Sequence, residues 1–152
     1  MSRQKTRVHP ALLARADDLR ADYHYHQPDS PHPTRHLLVE MSLRKGLRRL
    51  DALLASEQCP PEVPPTETLT AAWPRVRVDG RLLDFADRLR GRCYEVRKAA
   101  AIEQEPPQPW HAPTPPAAYP SRTGLVNVAF LLGLDEVARL YAQPARLPLH
   151  AS

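Results

Sequence analysis

Clustered prolines cut this chain into blocks, and that constrains its fold more than any other feature. Proline occupies 18 of 152 positions. Pro28, Pro31 and Pro33 break one stretch, Pro60, Pro61, Pro64, Pro65 and Pro74 a second, and seven prolines between 106 and 120 a third. Proline in a helix interior removes a backbone donor and clashes with the preceding turn. Helices must therefore lie between the clusters. The expected fold is mainly α.

The block between the first two clusters carries the clearest helical signal. Val39, Leu43, Leu47, Leu50 and Leu54 recur at helical spacing and predict a helix from about Thr34 to Ser56. An earlier helix is expected over about 10–23. Pro10 sits where a missing N–H costs nothing, and Leu12, Leu13, Ala16 and Leu19 supply its apolar stripe. Before it, Arg3, Lys5, Arg7 and His9 alternate with Gln4, Thr6 and Val8, the two-residue period of a strand. Further along, Arg75-Val76-Arg77-Val78 alternates like a short strand and Asp79-Gly80 reads as a turn. A third helix is expected over about 81–104, with a stripe of Leu82, Ala86, Leu89, Cys93, Val96 and Ala100. Residues 122–142 are the most apolar of the chain and read as two short helices divided at Gly133. No internal repeat of solenoid type is evident.

Charge is distributed unevenly. Residues 1–56 carry ten Lys/Arg and six Asp/Glu, so the whole net charge of +4 lies there; the remainder carries eleven of each. A basic N-terminal block favours a polyanion partner. The absence of a long apolar run argues against a transmembrane helix, and the N-terminus lacks the apolar core of a signal peptide, so a cytoplasmic protein is expected. Cys59 and Cys93 have no CxxC spacing and read as free thiols.

A basic strand followed by two amphipathic helices is the order of elements in which a dimer inserts a β-ribbon into the DNA major groove. Residues 3–54 resemble the ribbon-helix-helix family, which includes the Arc and MetJ repressors. The resemblance is carried by Thr34-Arg35-His36, Leu38-Val39 and Ser42-Leu43-Arg44-Lys45-Gly46-Leu47, with Pro10 and the pair Leu12-Leu13. It covers about a third of the chain. The chain departs from the family in its ten-residue loop over 24–33 and in a ribbon face, Gln4, Thr6 and Val8, of low apolarity.

The resemblance implies a homodimer whose N-terminal strands pair across two chains and bind double-stranded DNA. Arg3, Lys5 and Arg7 would meet base edges. Thr34 and Arg35 would open the second helix toward a phosphate. Leu38, Val39, Leu43 and Leu47 would form the dimer core, and Gly46 would permit close helix approach. The expected organisation is a DNA-binding part over 1–56, a linker over 57–74, a helical interaction region over 75–142 interrupted by the proline-rich run 105–121, and a tail over 143–152. The region 75–142 would take a protein partner.

Other clusters carry less. His24, His26, His32 and His36 match no zinc template and read as a solvated loop, so no metal or other cofactor is expected. Trp73 and Trp110 flank proline runs and read as anchors of those linkers. Asp84 and Asp87 are interleaved with Arg81, Arg88 and Arg90 and read as surface ion pairs. Glycine-rich phosphate loops and nucleophile elbows are absent, so an enzyme is not expected. The expected function is transcriptional regulation or a DNA-accessory role on a mobile element. The alternative is a helical protein-interaction factor, such as an adaptor, inhibitor or antitoxin, without DNA contact.

Overall fold

A computed structural model describes residues 3–31, 33–64, 66, 69–104 and 118–141. Among the described residues the chain is mainly helical, with four helices and one two-stranded antiparallel sheet. In chain order these are β1 (Arg3–Arg7), α1 (Pro10–His26), α2 (Arg35–Ala55), β2 (Arg75–Asp79), α3 (Gly80–Gln104) and α4 (Arg122–Tyr141); a single 3-10 turn, Thr70–Ala72, precedes β2. Among the described residues no helix is long and apolar enough to cross a membrane.

The order strand, helix, helix occurs twice, and the two halves have matching local chemistry. Asp17 pairs with Arg35 at 3.0 Å, and Asp87 pairs with Arg122 at 2.7 Å. Arg20 Nε donates to the Pro33 carbonyl, and Arg90 Nε donates to the Pro120 carbonyl. Thr34 Oγ1 caps α2 by accepting from the Leu37 N–H; Ser121 Oγ caps α4 by accepting from the Gly124 N–H. The step between counterparts is 70 positions through strand and first helix (17 to 87, 20 to 90). It becomes 87 through the second helix (35 to 122, 46 to 133), because α3 has 25 residues against 17 in α1 and more residues separate α3 from α4 than α1 from α2.

The halves meet chiefly at two seams. First, β1 pairs with β2 in a self-complementary register: Thr6 faces its own counterpart Val76, Lys5 faces Arg77 and Arg7 faces Arg75. The Val8 N–H extends the ribbon by donating to the Pro74 carbonyl. Second, α2 crosses α4 at Gly46 and Gly133. A Cβ on Gly46 would overlap the Ala129 carbonyl, and one on Gly133 would overlap the Ser42 carbonyl, its counterpart. Only glycine lets the two backbones approach this closely.

Several expectations are corrected by this arrangement. The strand expected to pair across two chains finds its partner within its own chain, and β2 holds the place assigned to a second copy. Leu38, Val39, Leu43 and Leu47 are buried as expected, but in a cluster that includes Leu83, Leu125, Phe130 and Leu134 from the second half. β1, α1 and α2 thus share one core with β2, α3 and α4, which is where the apolar faces of α3 and α4 are used. Val8, Thr6 and Val78 are buried and Val76 is half-buried, so this part of the even face packs inward even with a threonine at its centre, while Gln4 stays exposed. Gly133 divides nothing: α4 is continuous, and no described glycine has positive φ. Asp79-Gly80 is no turn, because β2 leads directly into α3. The segment 57–74 is partly docked, with Pro60 buried and the Pro64 carbonyl 2.8 Å from His9 Nε2. Helix α2 is capped at Ser56, after which Glu57 takes a φ of 57° and the Gln58 N–H reaches back to the Leu53 carbonyl.

Candidate functional site

Alternation places the odd residues of both strands on the outer face of the ribbon. From β1 these are Arg3, Lys5 and Arg7; from β2 they are Arg75, Arg77 and Asp79. Five of the six are cations. Lys5 lies directly opposite Arg77, and Arg7 directly opposite Arg75. Like charges in opposing positions destabilise a sheet, so packing does not account for them. Lys5, Arg75 and Arg77 are exposed and have no ion-pair partner among the described residues.

The ends of the ribbon are fixed by polar side chains reaching across from the second helices. Glu40 of α2 accepts from the Asp79 N–H at 3.0 Å. Its counterpart Asn127 of α4 accepts from the His9 N–H at 2.8 Å and donates to the Arg7 carbonyl at 2.9 Å. Each half therefore holds the strand-to-helix junction of the other. At those junctions His9 Nδ1 caps α1 through the Ala11 N–H, and Asp79 caps α3 through the Arg81 N–H. The Arg81 guanidinium, hydrogen-bonded to Asp79, lowers that carboxyl to a pKa of about 2. The only acid on the outer face is thus engaged at one end.

The expected site residues fall into three groups. Lys5 stands free on the outer face. Arg3 lies at its edge, bonded to His36 and 3.3 Å from Glu40, and Arg7 is half-buried and donates to the Ala71 carbonyl. Thr34 and Arg35 lie at the start of α2, with Arg35 held by Asp17. Sequence reasoning missed Arg75, Arg77, Ser121 and Arg122, the second-half counterparts of Lys5, Arg7, Thr34 and Arg35. The signal was present in the alternation of 75–78 and in the Gly46/Gly133 spacing.

His24 and His26 end α1, His36 opens α2, and His32 lies outside the described residues. Trp73 packs on His9 with ring centroids 5.0 Å apart. Trp110 and most of the run 105–121 lie outside the described residues. Asp87 pairs with Arg90 as well as Arg122. Cys93 is buried and Cys59 exposed, and both are free thiols. Comparison with family models, with curated proteins and with solved structures returns no match.

Proposed function

We propose that this chain is a single-chain ribbon-helix-helix protein that binds double-stranded DNA, with both halves of the usual dimer fused in one polypeptide. The observation that carries this reading is the outer face of the ribbon. Lys5, Arg7, Arg75 and Arg77 oppose one another there without an acid between them. A two-stranded ribbon fits the major groove, where Arg and Lys donate to guanine O6 and N7. A polyanion relieves the repulsion that the free protein carries.

The N-termini of α2 and α4 support the same reading. Both begin with a capped Thr or Ser followed by Arg. The first N–H groups of a helix lack intrahelical partners and favour a phosphate. Their related positions in the two halves suit the two strands of a duplex flanking the ribbon. The role is transcriptional regulation or a DNA-accessory function, without catalysis and without a cofactor.

Fluorescence anisotropy against salt tests this. We expect binding to duplex DNA that weakens steeply as salt rises, because each Lys/Arg–phosphate contact releases condensed counterions. A variant with Lys5, Arg7, Arg75 and Arg77 all changed to alanine should keep its helical signal and lose sequence-specific binding. Undetectable binding of the native chain at about 50 mM salt would overturn the reading. So would sequence-specific binding by the fourfold variant at native affinity.

A further inference from the structure

The two halves match so closely that a place where they differ stands out. Between α2 and the start of α3 lies a groove of about 570 Å³ lined by Arg44, Arg48, Arg81 and Arg88, with Leu82 and Phe85 in its wall and Asp79 as its only acid. Four arginines and one aspartate give it a net charge of +3. In the other half the counterparts of Arg44, Arg48, Arg81 and Arg88 are Leu131, Asp135, Ala11 and Asp18. There Arg15, the counterpart of Phe85, pairs with Asp135. The fold therefore does not need cations at these positions.

Asp79 is engaged by Arg81. Arg44, Arg48 and Arg88 have no ion-pair partner among the described residues. Arg44 and Arg48 are one helical turn apart and share a face. The Arg88 guanidinium carbon lies 5.3 Å above the Phe85 ring, so one cation already rests on the apolar wall. Guanidinium groups match phosphate oxygens in bidentate fashion and remain charged at every physiological pH. The volume lies within the range of small-molecule sites.

We propose that this groove binds a small organic phosphate of nucleotide size, with the phosphates on Arg44, Arg48 and Arg88 and the ring or aliphatic part against Phe85 and Leu82. The site occurs in one half only, so each chain takes one ligand. It rests on no part of the DNA reading, and either can fail alone.

Calorimetry on the full chain with ATP, inorganic phosphate and adenosine as probes tests the site. ATP should bind saturably at one per chain, and more tightly than either fragment. Arg44→Gln with Arg88→Gln should weaken ATP at least about tenfold, as loss of two charge-assisted partners requires. Lys5→Ala with Arg77→Ala should leave ATP binding unchanged. Arg48→Gln alone provides a second variant should the pair alter the thermal melt. Absence of saturable ATP binding would overturn the site. ATP binding that survives both groove variants, or that is lost with the ribbon variant, would do the same. Groove variants that weaken duplex DNA while ATP fails to bind would reassign these arginines to the DNA backbone.

Discussion

Gly46 of α2 and Gly133 of α4 lie against each other so closely that a Cβ on either would come within 3.0 Å of the other's backbone nitrogen and overlap a carbonyl besides. This crossing and the β1–β2 ribbon are the two main seams between the halves of the chain. Neither glycine can gain a methyl group unless two helix backbones separate. Gly46→Ala and Gly133→Ala should each cost about 3 kcal/mol or more, the upper end of overpacking penalties. Thermal or denaturant unfolding measures this, and a native-like midpoint in either variant would show that the helices are not in backbone contact.

Ser42 sits in the same crossing, fully buried, and its Oγ has no hydrogen-bond partner among the described residues. Its counterpart is Ala129, whose methyl fills the same kind of space without a polar atom. Ser42→Ala should therefore raise stability by about 1 kcal/mol, since a buried unpaired hydroxyl costs free energy. A destabilised variant in chemical denaturation would mean that the hydroxyl has a partner.

Acid should weaken the joints between elements. The Arg81 hydrogen bond holds Asp79 down at about 2, and the Arg122 hydrogen bond lowers Asp87. A carboxyl with a depressed folded pKa contributes stability that is complete above its ordinary value of 3.8 and is lost as pH falls through the folded value. The native chain should melt above Asp87→Asn at neutral pH, and the two melting temperatures should converge on acidification below 3.8. A gap between them that does not depend on pH would show that the pairing with Arg122 contributes nothing.

The proposed reading head has unequal ends. Lys5 and Arg75 correspond, as do Arg7 and Arg77, but the counterpart of Arg3 is Trp73 and that of His9 is Asp79. A target selected from random duplexes should therefore lack a two-fold palindrome, with conserved bases biased to one side of its centre. Selection of a perfect palindrome would instead point to two identical ribbons.

The helices were legible because their apolar spacing is local. Val39, Leu43, Leu47, Leu50 and Leu54 mark a face whatever covers it, and all five are buried. The covering partner was not legible. A ribbon is joined by backbone hydrogen bonds, and these do not reveal in the side chains whether the second strand belongs to another chain. The repeat was obscured by the extra length of α3 and of the stretch that follows it, which changes the step between counterparts from 70 to 87. It was obscured further by core positions that conserve burial rather than identity, such as Leu43 with Phe130 and Leu50 with Val137. Gly133 read as a helix breaker because a tight crossing and a break favour the same residue.

The mass of the complex formed by the full chain on a short duplex carrying one selected site tests the central claim most directly. One chain of 17.1 kDa should account for the protein in that complex and in the free state, because β1 and β2 complete the ribbon within one molecule. An obligate dimer in both states, with no complex formed by a single chain, would contradict it.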